Sequence, residues 1–224
     1  MELRAVVFDC DGVLIDTISS WRIIHEHFGT NSGPMLDQFL KGGISDEDFM
    51  ADDIQHWKSV QPQIHRDELM RCYQGVNLNP GARDLVDALK ERGINVSIVS
   101  AGVDLLIGSI AKMLNVDDWA SNGFQYSEEG FLMDEGVVRV PAHNKGFMIE
   151  KLCRINGFKP SEVCSVGDNH TDLSMMIPGS RFVGFNPSKE MAYSGFREAG
   201  VPIVEGKDCR DMWPILFPGE EFPN

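Results

Sequence analysis

No apolar run in this sequence approaches the roughly 20 residues that a bilayer-crossing helix needs, so no membrane partner is expected. Cysteine is sparse and scattered. Cys10, Cys72, Cys153, Cys164 and Cys209 form no C-x-x-C pair, and no histidine stands at metal-ligand spacing from them. That excludes a disulfide framework and a structural zinc site, and predicts reduced thiols. Positive charge is short: Lys and Arg total 20 against 34 Asp and Glu, a formal net charge of −14. So acidic a surface repels phosphate backbones, which argues against nucleic acid as a partner. It also means that an anionic ligand would need a local cation or a metal. Met1-Glu2-Leu3-Arg4 leads directly into an apolar run, without the charged and apolar regions of a secretory signal, so a cytoplasmic location is the expectation. Internal repeats and low-complexity tracts are absent.

A chain of 224 residues can bury a full core, and one domain plus an insert is the natural size class. Ala5-Val6-Val7-Phe8, Ile94 to Val99 and Val163 to Val166 are apolar on almost every residue, and Arg181 to Phe185 and Pro202 to Val204 follow more weakly. Such runs suit strands buried on both faces of a parallel sheet. Between them, Ala82 to Leu89, Val103 to Leu114 and Lys145 to Ile155 have helical apolar spacing, with Gly93 and Asn156-Gly157 as stops. Strands alternating with helices predict a doubly wound, Rossmann-like α/β fold. The stretch from Thr17 to Val76 breaks the alternation with four helical patterns, over Trp21–Phe28, Met35–Leu40, Ser45–Trp57 and Ile64–Tyr73. Thr17 is the expected cap of the first, and Ser45 with Asp48 resembles a capping box on the third. Residues 17–76 are therefore expected as a helical insert, with the core formed by 1–16 and 77–224. Ala120 to Val140 reads as a small β excursion, and Trp213 to Asn224 as a terminus packed on the surface.

Four short segments carry the chemistry. They are Asp9-Cys10-Asp11-Gly12, Ser100-Ala101-Gly102, Asn144-Lys145-Gly146 and Gly167-Asp168-Asn169-His170-Thr171-Asp172. Each follows an apolar run or opens a helix. In an open α/β sheet, ligands bind beyond the carboxyl ends of the strands, so these residues should converge. Asp9 and Asp11 flank Cys10, and in extended chain both side chains would point the same way. One carboxylate can attack phosphorus while the other protonates the leaving oxygen and then activates water. Gly12 allows the turn that brings them over the strand tip. Carboxylates facing a phosphate repel it, and Mg²⁺ would relieve the repulsion, with Asp168 as its best distant ligand and Asp172 able to face the same site. Lys145 and Ser100 supply a cation and a hydroxyl for phosphoryl oxygens. A calcium loop starting at Asp9 is rejected, because its twelfth position is Ser20 rather than Glu.

In this order the four segments resemble the haloacid dehalogenase superfamily. The resemblance implies Mg²⁺-dependent hydrolysis of a small phosphorylated metabolite through a phosphoaspartate. Asp9 is then the nucleophile and Asp11 the general acid/base. Ser100, Ala101, Gly102 and Lys145 bind the phosphoryl group. The metal is held by Asp9, by Asp11 through its backbone carbonyl and by Asp168, with Asp172 and Asn169 in support. The insert stands where type C1 caps stand. Ser100-Ala101-Gly102, the β excursion and Asn144-Lys145-Gly146 look closest to the phosphoserine phosphatase branch. Two positions depart from it: Ile18 replaces the Glu that holds the substrate amine, and Thr171 replaces an Asn. The same nucleophile would also serve a phosphotransferase or mutase, and a non-catalytic phosphometabolite sensor is a rival of another class. A monomer or homodimer, and either Mg²⁺ or Mn²⁺, are compatible with the sequence.

Overall fold

The computed structural model describes residues 2–223. Its strands form one seven-stranded sheet in the order β4-β3-β2-β1-β5-β6-β7. They are β1 (Ala5–Phe8), β2 (Asn95–Val103), β3 (Asp118–Tyr126), β4 (Leu132–Val137), β5 (Val163–Gly167), β6 (Arg181–Phe185) and β7 (Ile203–Val204). Every neighbouring pair is parallel except β3–β4. The unbroken apolar runs reflect helices on both faces. Val6, Phe8, Ile98 and Val166 pack on one side, against Leu85 and Leu89 of α5 (Ala82–Glu91) and Ile107 and Ile110 of α6 (Asp104–Leu114). Ala5, Val7, Val99 and Val163 pack on the other, against Ile149 of α7 (Gly146–Asn156) and Phe196 of α8 (Glu190–Glu198). The expected doubly wound α/β core is therefore present. From β1 the chain steps outward through β2, β3 and β4, then returns to β5 on β1's other flank. This reversal opens a crevice at the carboxyl ends of β1 and β5.

Between β1 and α5 lie four helices: α1 (Ser20–Phe28), α2 (Gly33–Leu40), α3 (Asp46–Val60) and α4 (Arg66–Cys72). Helix α1 is capped by Ser19, whose hydroxyl accepts from the Arg22 N–H at 3.3 Å, and not by the expected Thr17. Ser45 does cap α3, accepting from the Asp48 N–H at 3.0 Å. The Asp48 side chain binds the Ser45 hydroxyl instead of reaching the cap's N–H, so the expected capping box is half formed. Inside the insert Trp21 stacks on Trp57, with ring centroids 6.1 Å apart, and both meet Phe124 of β3 edge-on. The Trp57 indole N–H donates to His25 Nδ1 at 3.1 Å. His25 Nε2 lies 2.9 Å from Asp53 Oδ1 in the buried interior. His27 faces outward, so the insert's histidines do not converge.

Two expectations are corrected. The stretch 120–140 is not a separate excursion. Its first half belongs to β3, which pairs parallel with β2, and only Gly123–Tyr126 turns back against β4. The polar residues Asp118, Ser121 and Asn122 hid the strand, since they interrupt its apolar run. The hairpin also binds the insert, through Arg66 N–H to Gly130 O and Leu132 N–H to Ile64 O. The C-terminal stretch contributes Trp213 and Leu216 to the core, while Pro218 to Glu221 lie on the surface as expected. Trp213, in the short helix α9 (Trp213–Leu216), is 1% exposed and packs on Phe217 and Phe222, with the Arg92 guanidinium over Phe217. Among the described residues no helix is long and apolar enough to cross a membrane. Trp213→Ala should lower the unfolding free energy by about 3–5 kcal/mol, read as a reduced denaturant midpoint at unchanged slope.

Candidate active site

Strand β1 delivers Asp9 to the crevice, and the Asp9 N–H continues the pairing by donating to Val166 O at 2.8 Å. Strand β5 delivers Asp168 beside it. The loop between β1 and the insert folds back through Gly12, whose φ is +76°. A Cβ there would stand 2.5 Å from Asp168 Oδ2, so glycine is required for backbone and carboxylate to approach. Asn79, which nothing in its sequence context singled out, braces this turn by donating to the carbonyls of Val13 and Ile15.

After Asp168 the chain enters a 3₁₀ turn, His170–Met175. Asp172 Oδ2 accepts from the N–H groups of Asp168 and Asn169, at 3.1 and 2.9 Å. Its Oδ1 receives Lys145 Nζ at 2.7 Å, and the same Nζ stands 3.0 Å from Asp9 Oδ1. Lys145 immediately precedes α7, and its backbone N–H is held by the Ser174 hydroxyl. Asp9, Asp168 and Asp172 each offer a carboxylate oxygen within 4.8 Å of the others. The Asn169 side chain turns to the backbone, with Oδ1 accepting from the His170 N–H.

Burial dominates the electrostatics. It pushes the Asp9 carboxyl up to about 7; Lys145 opposes this, and Asp172 and Asp11 reinforce it. Asp168 is raised well above the carboxylate range by burial, then by Asp172 and Asp9. Burial alone would lower the Lys145 ammonium, but Asp172 and Asp9 outweigh it and hold the group above its ordinary value. One ammonium thus faces three clustered carboxylates, an excess of negative charge that suits a hard cation.

Asp11 departs from expectation. The chain leaves the extended state after Phe8, and the Asp11 side chain does not join the three carboxylates. Its Oδ2 accepts from both the N–H and the hydroxyl of Ser20, each at 2.7 Å, while Oδ1 is buried without a partner. Burial raises its carboxyl, against the lowering effect of the Ser20 bonds. Ser20 also accepts from the Val103 N–H at 2.9 Å and so ties the insert to β2. Sequence reasoning missed Ser20, because a serine opening a helix signals only a cap.

Ser100 does not follow its strand. Strand β2 runs on to Val103 through a register shift between Ser100 and Val103, since small Ala101 and Gly102 let pairing with β3 continue. The Ser100 hydroxyl accepts from the Gly102 N–H at 3.1 Å, and Ala101 O accepts from the Trp21 indole. Cys10 is fully buried; burial first, then Asp11 and Asp9, push its thiol far up, which leaves it an inert packing group. A cavity of about 750 Å³ is lined by Asp9, Asp11, Ser100, Ala101, Gly102, Lys145, Asp168, Asn169 and Asp172 from the core, and by Ile18 and residues of α1, α2 and α3 opposite.

Residues 3–178 match the model of the haloacid dehalogenase-like hydrolases. The chain belongs to that family. Within it the chain resembles the phosphoserine phosphatase branch. A phosphoserine phosphatase of Wolinella succinogenes is 26% identical over 212 residues, covering 94% of this chain and 98% of that protein. One of Archaeoglobus fulgidus is 26% identical over 187 residues, covering 83% of this chain and 53% of the relative, so the chain spans about half of that protein's length. A solved structure described as a phospho-aspartyl intermediate analogue of phosphoserine phosphatase shares the fold. Its TM-score is 0.79 at 20% identity, with 96% of this chain and 99% of that one covered.

Ser20→Ala would leave Asp11 Oδ2 with one donor and the buried Val103 N–H with none. It should destabilise the protein by about 1–3 kcal/mol in chemical denaturation, and Ser20→Thr by less.

Proposed function

We propose that the protein is a Mg²⁺-dependent phosphatase of a small phosphomonoester, working through a phosphoryl group carried on Asp9. The observation that carries this reading is the buried meeting of Asp9, Lys145, Asp168 and Asp172 at the ends of β1 and β5. Asp9, Asp168 and the Asp11 backbone carbonyl would hold the metal, with Asp172 and Asn169 fixing the loop behind them. Bound there, Mg²⁺ would offset the repulsion between the carboxylates and a phosphate dianion.

The chain's own groups account for the remaining chemistry. A carboxylate oxygen of Asp9 attacks phosphorus, and the bond from phosphorus to the alcohol oxygen breaks. Asp11, whose Oδ1 has no partner, gives its proton to the departing oxygen. It then takes a proton from the water that attacks the phosphoaspartate, which releases inorganic phosphate and restores Asp9. Lys145 and the segment Ser100-Ala101-Gly102 take the phosphoryl oxygens. Residues 17–76 act as a cap domain over a core of 1–16 and 77–224, excluding bulk water and selecting the substrate. Relatives named phosphoserine phosphatase support phosphomonoester hydrolysis, but Ile18 offers no carboxylate to an amine at the position where that branch has one.

Phosphate release from a panel of phosphomonoesters, phosphoserine included, should require Mg²⁺ and stop with EDTA. Release that persists in EDTA would overturn the metal assignment. Parallel assays with an added alcohol acceptor should show no transfer; a phosphorylated acceptor would mark a phosphotransferase instead. Asp9→Asn should lower turnover by about 10³-fold or more while the far-ultraviolet circular dichroism of the folded protein is retained. Retained turnover in that variant would overturn the phosphoaspartate.

A further inference from the structure

The cavity has two chemically different walls. The core wall carries the charged groups described above. The insert wall mixes polar groups from α1 and the loop after it, among them Arg22, Glu26, Thr30 and Asn31, with an apolar patch of Leu36, Phe39, Leu40 and Phe49 on α2 and α3 and of Ile18 between β1 and α1. Phe39 stacks flat on Phe49, with centroids 4.4 Å apart and an interplanar angle of 4°. Ile18, Leu36 and Leu40 are 53%, 40% and 36% exposed, high values for large aliphatic side chains. Apolar area left bare in a cavity is area that an apolar ligand can cover with gain.

Some of the charged groups around this wall have partners. Arg22 is paired with Glu26 at 2.8 Å, and the Asp46 carboxylate accepts from the Ala142 N–H at 3.0 Å. Lys145 serves Asp9 and Asp172, and Lys189 lies exposed on the core side.

The inference rests on the phosphatase reading and names its substrate class. We infer that the alcohol released carries an apolar chain, which lies against Leu36, Phe39 and Leu40. The protein then hydrolyses phosphomonoesters of apolar alcohols in preference to phosphoserine.

The test is kcat/KM of the Mg²⁺-loaded protein for n-alkyl phosphates from ethyl to hexyl, beside O-phosphoserine. Each methylene moved from water onto an apolar wall is worth about a three- to fourfold gain. A rise of about that size per methylene is expected, with hexyl phosphate ahead of phosphoserine by about tenfold or more. The double variant Leu36→Ser, Leu40→Ser changes two surface-accessible positions and should flatten this slope. A flat series in the unaltered protein, a preference for phosphoserine, or an undiminished slope in the double variant would each overturn the inference while leaving the phosphatase reading in place. No turnover of any of these esters would overturn the inference, and no release from the wider phosphomonoester panel either would overturn the phosphatase reading with it.

Discussion

One buried ammonium organises this molecule. Lys145 Nζ lies within 3.0 Å of Asp9 and 2.7 Å of Asp172, and the lysine is 3% exposed. An unpaired charge at such depth would cost several kcal/mol, so the three side chains can be buried only together. They come from three separate places: the end of β1, the residue before α7 and the 3₁₀ turn after β5. The ion pairs therefore couple the sheet's central strand to elements on either side of the crevice. They also leave an imbalance, because Asp168 adds a third carboxylate to a cluster with a single cation. Burial and this imbalance together raise the carboxyls of Asp9 and Asp168.

The insert is bound to the core at the same place. Ser20 bridges Asp11 and the Val103 N–H, and Trp21 donates its indole hydrogen to Ala101 O. A Cβ on Gly102 would stand 2.7 Å from Ser20 Oγ and 2.9 Å from Asp11 Oδ2, so this junction admits no larger residue at Gly102. The helices that close the cavity and the carboxyl group assigned as acid are thus placed by one set of contacts. Beyond that junction the cavity lining gains an apolar patch from α2 and α3.

Much of this was legible before any coordinates. The apolar runs at Ala5–Phe8 and Val163–Val166 became central strands, and the helical periods at 82–89 and 145–155 became α5 and α7 nearly in place. The charged segments sat at strand ends because a parallel strand buried on both faces has no room for charge until it stops. Less was legible where pattern and environment part. The start of β3 was obscured by the polar residues that interrupt its apolar run. Trp213 read as surface because Pro and charge surround it, yet Phe217, Phe222 and Arg92 enclose it.

The sequence by itself determined the alternation of strands and helices, the insert after β1, and the set of chemical groups at the strand tips. Those features follow from local periodicity and from what a buried strand can tolerate. Only the tertiary structure decided that the Asp11 carboxylate turns away from its neighbours toward Ser20, that β2 continues past Ser100, and that Asp172 serves Lys145 and the loop backbone together. Each of these depends on donors and acceptors that meet only after folding: Ser20 and Val103 are 83 positions apart, and Lys145 and Asp9 are 136. Hydrogen bonding over such separations leaves no periodic trace in a chain, so the chemistry was readable in its parts while its geometry required the fold.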